Sequence, residues 1–158
     1  MSTSNLSLGK LQYLNSGIPE NYILYAEDDP DDQTMLRETL MEYRPEISVI
    51  MFDNGKQLVD FLEGLQPGKY YPCLIILDMN MPMWDGLKTL AEIKSSHKLK
   101  HLKVLIFTTS SSARDKDSAL SLGASGYVTK PVIQKELIAF IENFSVYIKQ
   151  PPVMNIAD

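Results

Sequence analysis

A single cysteine, Cys73, stands in a chain of 158 residues. A disulfide framework is therefore excluded, and the usage suits a reducing, cytoplasmic compartment. Long apolar runs are missing as well. None approaches the roughly 20 residues that a membrane-spanning helix needs, and Met1 to Lys10 lacks the basic start and apolar centre of a secretory signal. No membrane association is expected. Positive charge is in short supply: 15 Lys and Arg against 20 Asp and Glu leave a formal net charge of -5. A nucleic-acid footprint would need a basic surface, so no nucleic-acid partner is expected. Histidine is scarce, and His97 and His101 sit among Lys98, Lys100 and Lys103, the pattern of a solvated turn rather than of a metal site. What is present is a globular composition, 44% hydrophobic and 22% charged, enough for one domain with its own core.

The ends of the chain differ from its middle. Residues 1–20 are rich in Ser, Asn and Gly and read as a leader, with a weak helical signal from Lys10 to Leu14. Pro151 and Pro152 stop any helix, so residues 150–158 read as a tail. Between them, residues 21–149 alternate. Tyr22 to Ala26, Ile47 to Phe52, Cys73 to Leu77, Val104 to Phe107 and Gly126 to Val128 are short apolar runs that predict strands. Asp31 to Tyr43, a segment opened by Asn54 and Gly55, Gly86 to Lys94, Ala113 to Leu122 and Lys135 to Ile148 carry helical spacing. Gly123 is placed to end the fourth of these helices. Five strands alternating with five helices predict an α/β fold, a parallel sheet doubly wound by helices on both faces. In such sheets the ligand site lies at the carboxyl ends of the strands.

The residues at those ends form a constrained set. The first strand runs into Glu27, Asp28 and Asp29, with Asp31 and Asp32 behind; the third into Asp78; the fourth into Thr108, Thr109 and Ser110; the fifth into Thr129, Lys130 and Pro131. Carboxylates brought together stay ionised only when a cation compensates them. Oxygen donors without His or Cys select Mg2+ or a similar ion. With Mg2+ and Lys130 in place the pocket accepts a phosphoryl group, and a central carboxylate, Asp78, becomes a nucleophile toward phosphorus. Asp31 and Asp32 read as acids favoured by the start of a helix. Ser111 or Ser112 is expected to cap the next helix, leaving Thr108 free.

Four segments, ILYAEDDP (Ile23 to Pro30), LDMNMPMWDG (Leu77 to Gly86), FTTS (Phe107 to Ser110) and GYVTKP (Gly126 to Pro131), resemble the two-component response-regulator receiver domain, in that family's order and spacing, over roughly Asn21 to Lys149. The resemblance implies the flavodoxin-like receiver fold and a stand-alone phospho-accepting switch that catalyses only its own phosphorylation and dephosphorylation. Asp78 corresponds to the phosphoacceptor. Glu27 and Asp28 correspond to the acid pair that holds Mg2+, Asp28 directly and Glu27 mainly through water, with the Asn80 backbone carbonyl as a further ligand. Asp29 lies outside that pair. Thr108 and Tyr127 correspond to the switch pair and Lys130 to the family's lysine, and the Lys130–Pro131 bond is expected to be cis. Thr109 stands where the family often has Ala or Gly. The implied donors are a sensor histidine kinase or a histidine phosphotransfer protein. The output is an unidentified downstream protein, or a homodimer, engaged through the fourth helix, fifth strand and fifth helix. No DNA-binding domain follows, so direct control of transcription is not expected.

Other readings of the same residues fit less well. A scaffold of this fold that no longer signals usually loses an acid, the acceptor or the lysine, and all are here. An Asp-nucleophile phosphatase wants a second Asp at position 80, which is Asn. A flavin mononucleotide carrier wants a Ser, Thr and Gly loop after the first strand, where Glu27-Asp28-Asp29-Pro30 would repel phosphate. Trp84 reads either as a partner contact or as local packing. Met79, Met81 and Met83 read as fillers.

Overall fold

Each apolar run becomes a strand and each periodic segment a helix. The computed structural model describes residue 19 and residues 21–66 and 68–146. In chain order the elements are β1 (Tyr22–Ala26), α1 (Pro30–Tyr43), β2 (Ser48–Phe52), α2 (Gly55–Glu63), β3 (Leu74–Leu77), α3 (Gly86–Ser95), β4 (Val104–Thr108), α4 (Ala113–Ser121), β5 (Gly126–Thr129) and α5 (Gln134–Glu142). A 3-10 turn, Asn143–Val146, follows α5. The expected fifth helix thus tightens after Glu142; Ile148, the leader with its Lys10 to Leu14 helix, and the tail lie outside the described residues.

The sheet is parallel throughout, in the order β2-β1-β3-β4-β5. Strand order reverses between β1 and β3, and the crevice at their carboxyl ends is where this topology places a ligand. Side chains alternate across the sheet. Tyr22, Leu24 and Ala26 of β1 join a core with Leu58, Phe61 and Leu62 of α2 and Leu90 and Ile93 of α3. Ile23 and Tyr25 join the opposite core with Leu36 and Leu40 of α1 and Leu137 and Ile141 of α5. Burial of each such Leu or Ile contributes about 1.5–3 kcal/mol. Of the four apolar residues that give α1 its spacing, Leu36 and Leu40 are buried, whereas Met35 and Tyr43 are exposed.

Local chemistry sets the helix starts. The side chains of Asp29, Asn54, Asp85 and Ser112 accept from the backbone N–H of Asp31, Gln57, Lys88 and Asp115 at 2.9, 3.0, 2.8 and 3.3 Å. These bonds satisfy donors that a helix start otherwise leaves unpaired. Gly123 closes α4 with φ +101, a conformation that favours glycine. The loop before α3 contains Met83 at φ 64. Met79 is buried and Met81 packs against the core, but Met83 is 75% exposed, its Sδ accepting from Asn54 Nδ2 at 3.6 Å. Trp84 is packed locally: it lies against the core, with Lys56 Nζ and Lys88 Nζ 5.5 and 5.2 Å from its ring centroid.

Candidate functional site at the strand ends

Parallel register brings the chemistry together. Ala26 pairs with Leu77, Leu77 with Ile106, and Thr108 with Thr129. The residues that follow, Glu27, Asp28, Asp78 and Lys130, therefore emerge on one edge beside Thr108. The Asp78 N–H donates to Ala26 O at 3.0 Å and the Lys130 N–H to Thr108 O at 2.7 Å, so the ladder is continued to the site itself. Gly86 supports Asp78 from behind. Its N–H donates to Met79 O at 2.9 Å, and a Cβ there would stand 2.5 Å from Asp78 O and 2.9 Å from Met79 Cα. Only glycine allows α3 to start this close to the acid.

Lys130 is the hub. Its Nζ lies 2.6 Å from Glu27 Oε2, 2.8 Å from Asp32 Oδ2 and 3.2 Å from Asp78 Oδ1. Burial works against its charge, but the hydrogen bonds to Asp32 and Glu27 and the nearby Asp78 charge outweigh it, and its pKa stands above the ordinary lysine value. Glu27 is pinned on both oxygens: Tyr25 OH donates to Oε2 at 3.2 Å and Asp29 N–H to Oε1 at 3.0 Å. Burial pushes the Glu27 carboxyl up, and Lys130 and the Asp29 N–H only partly offset it. Burial also pushes Asp78 up, against Lys130 and the N–H groups of Met79 and Asn80. One ammonium thus does not fully compensate the carboxylates around it.

The donor set fits a hard divalent cation. Among the described residues, Glu27, Asp28 and Asp78 form a group whose carboxylate oxygens lie within 4.8 Å of one another. Glu27 and Asp78 are buried and Asp28 is exposed, which gives an ion two deep anchors and one reachable from solvent. Oxygen donors of this kind suit Mg2+ or Mn2+. Asn80 is exposed two residues beyond Asp78, and Asp29 is engaged as the α1 cap.

The remaining expected residues fall around this centre. Thr108 is fully buried, and its Oγ1 accepts from the Ser110 N–H at 3.2 Å. Tyr127 is half-buried, with its hydroxyl donating to Ser110 O at 2.9 Å. The Thr109 side chain is exposed. One expectation is corrected: the Lys130–Pro131 bond is trans, since no cis peptide occurs among the described residues. Trans is the lower-energy form of such a bond by about 0.5–1 kcal/mol, and Lys130 reaches its three carboxylates with it. Asp32 does more than favour a helix start, because it also binds Lys130. The signal was its spacing: Asp32, Leu36 and Leu40 fall at i, i+4 and i+8, on the face of α1 turned toward the sheet.

A model of the response regulator receiver domain matches residues 23–142. The chain belongs to that family. It is 32% identical over 133 residues to the response regulator Rcp1 of Synechocystis sp. PCC 6803, covering 82% of this chain and 89% of Rcp1. The crystal structure of Mn2+-bound Rcp1 superposes with a TM-score of 0.70 at 29% identity, covering 84% of this chain and 97% of that one. RPA3017, a response regulator in red-light signalling of R. palustris, gives a TM-score of 0.73 at 26% identity, covering 84% and 99%. The phosphorylated cyanobacterial phytochrome response regulator RcpA gives 0.68 at 26%, covering 83% and 97%. Receiver domains are signalling switches of two-component systems that take phosphate from histidine kinases, rather than enzymes acting on a pool of substrate. Among the described residues, no helix is long and apolar enough to cross a membrane.

Proposed function

We propose that the chain is a phospho-accepting switch that takes a phosphoryl group from a phosphohistidine onto Asp78. The observation that carries this reading is the placement of Asp78: a buried carboxylate at the tip of the central strand, 3.2 Å from Lys130 and grouped with Glu27 and Asp28. An Asp78 oxygen attacks phosphorus, an O–P bond forms, the P–N bond breaks and the donor imidazole leaves. Glu27, Asp28, Asp78 and the Asn80 backbone carbonyl would hold Mg2+, which when bound supplies charge neutralisation on the transferring oxygens. Lys130 supplies a second positive charge, and the Thr108 hydroxyl donates to a phosphoryl oxygen. The added charge of roughly -1.5 to -2 draws Thr108 and Lys130 toward it. Tyr127 then follows Thr108 inward and changes the face of α4, β5 and α5. That face engages a downstream protein or a second copy of the chain. The donor is a sensor histidine kinase or a histidine phosphotransfer protein. Mn2+-bound Rcp1 and phosphorylated RcpA are relatives in which a divalent ion and a phosphorylated state are described.

Intact mass after incubation with Mg2+ and acetyl phosphate tests the reading. One labile phosphoryl adduct is expected, absent without Mg2+ and absent from Asp78→Asn. If neither acetyl phosphate nor beryllofluoride, a stable phosphoryl mimic, engages the unmodified protein, the phospho-switch gives way to a binding module of receiver fold.

A further inference from the structure

Lys130 has more acidic partners than the phosphoacceptor reading needs. Its two shortest contacts are to Glu27 at 2.6 Å and Asp32 at 2.8 Å, and Asp78 is the longest at 3.2 Å. Asp32 belongs to a different element from the acid pair and from Asp78: it is in the first turn of α1, on the face that carries Leu36 and Leu40. A cavity of about 30 Å³ adjoins it, lined among others by Tyr25, Asp32, Phe107, Lys130 and Pro131. Such a space holds about one water. The cavity leaves the end of Lys130 room on its Asp32 side.

We propose that Asp32 is a positioning residue that draws the Lys130 ammonium toward the α1 side of the cluster, so that its contact with Asp78 stays the longest of the three. The inference deepens the phosphoacceptor reading and rests on it for its consequence. A free ammonium surrounded by Glu27, Asp32 and Asp78 settles where the summed attraction is greatest. With Asp32 present, that point lies closest to Glu27 and Asp32, and Lys130 stands farther out, 3.2 Å from Asp78 Oδ1. Without the Asp32 charge, Lys130 moves between Glu27 and Asp78. It then competes with a cation for both and masks the nucleophile. Asp31, next in the chain, is exposed and has no contact of this kind with Lys130. It offers the same charge loss without the tether.

The test compares the full chain with Asp32→Asn, Asp32→Glu and Asp31→Asn. Three quantities are read: Mg2+ affinity by calorimetry, the Lys130 side-chain nitrogen resonance in 15N-lysine-labelled protein (assigned with Lys130→Arg), and the rate of adduct formation from acetyl phosphate at saturating Mg2+. Asp32→Asn is expected to weaken Mg2+ binding about 2- to 5-fold, the scale of a partly exposed charge pair, to shift the Lys130 resonance, and to slow adduct formation. Asp31→Asn is expected to change Mg2+ affinity less than about twofold because its charge is solvent-screened. Asp32→Glu is expected to restore most of the Mg2+ affinity. Equal effects of Asp32→Asn and Asp31→Asn, or an unmoved Lys130 resonance in Asp32→Asn, overturn the proposal. If the unmodified chain forms no adduct, the acceptor reading fails, while Mg2+ affinity and the Lys130 resonance still decide whether Asp32 positions the lysine.

Discussion

The Tyr127 hydroxyl donates to the Ser110 carbonyl at 2.9 Å. The Ser110 N–H in turn donates to Thr108 Oγ1 at 3.2 Å, so one residue links the aromatic ring to the buried hydroxyl. Inward rotation of Tyr127 must break its bond to Ser110. Tyr127→Phe is therefore expected to cost about 0.5–1.5 kcal/mol of stability in urea titrations, the usual net worth of a hydrogen bond. It should also raise the apparent affinity for beryllofluoride by about 2- to 10-fold, because the inward state no longer pays for that lost bond. Thr108→Ala removes the attracting hydroxyl and should lower the same affinity. A Tyr127→Phe protein with unchanged beryllofluoride affinity would show that the tether does not hold the resting state.

Gly86 gives a second prediction, with two effects of opposite sign. Replacing a helical glycine by alanine ordinarily stabilises by roughly 0.5–1 kcal/mol. Here the new Cβ would meet backbone atoms, Asp78 O at 2.5 Å and Met79 Cα at 2.9 Å. Backbone cannot rotate away, so the clash displaces the segment bearing Asp78, at about 1–3 kcal/mol for overpacking. The clash outweighs the propensity gain. Gly86→Ala should unfold at lower urea and form the Asp78 adduct more slowly. A gain in stability would mean that α3 slides along the sheet at little cost.

The strands and helix starts were legible because each has a local cause. β3 and Val104 to Phe107 of β4 are unbroken apolar runs buried on both faces, and Asn54 and Ser112 stand where caps are needed. The convergence of Glu27, Asp28, Asp78, Thr108 and Lys130 followed from parallel topology. Asp32 was harder to see. Any acid in the first turn of a helix gains from the dipole, so only its i, i+4 and i+8 spacing with Leu36 and Leu40 sets Asp32 apart from a plain helix-start acid. The Tyr25 contact to Glu27 was equally hidden, because the hydroxyl lies at the far end of a ring that otherwise reads as core. The Lys130–Pro131 isomer rests on about 0.5–1 kcal/mol, too little for local sequence to decide. Met83 adopts a left-handed conformation with no glycine or Asn to announce it.

Asp78 should trade stability for function. It is a buried carboxylate whose pKa is raised by burial despite Lys130, so its ionised form is disfavoured in the folded chain without metal. Asp78→Asn keeps the shape and removes the charge, while Lys130 retains Glu27 and Asp32. The variant is expected to be more stable than the unmodified chain in chelator, by about 1 kcal/mol and a few degrees in melting temperature. Added Mg2+ should reverse the order by stabilising only the chain that binds it well; a ligand at 100 times its Kd contributes about 2.7 kcal/mol. Calorimetric melts of both proteins, with and without Mg2+, check this. Lower stability of Asp78→Asn in chelator would show that the Lys130–Asp78 pair is net stabilising.

The opposite end of the sheet sets an alkaline limit. Tyr22 OH donates to Tyr70 O at 2.6 Å, and burial, then the neighbouring Cys73 and Tyr71, push its pKa well above the ordinary 10.0. Burial likewise pushes the Cys73 thiol above 9.0. Both groups keep their protons in the folded chain at a pH where the unfolded chain releases them. Their contribution is therefore fully present below about pH 9 and is lost as pH rises, at up to about 1.4 kcal/mol per pH unit for each group above its unfolded value. Urea midpoints should be flat from pH 7 to about 8.5 and fall steeply by pH 10.5. Tyr25, whose pKa is also raised by burial and by Glu27, adds to the fall with the same sign. Tyr22→Phe should lose about 1 kcal/mol at pH 7 with the hydrogen bond and then decline less steeply above pH 10. Cys73→Ala should remove the part of the decline that begins near pH 9. If neither substitution changes the slope, the alkaline limit lies in groups elsewhere, and the buried hydroxyl and thiol at the foot of β1 and β3 do not set it.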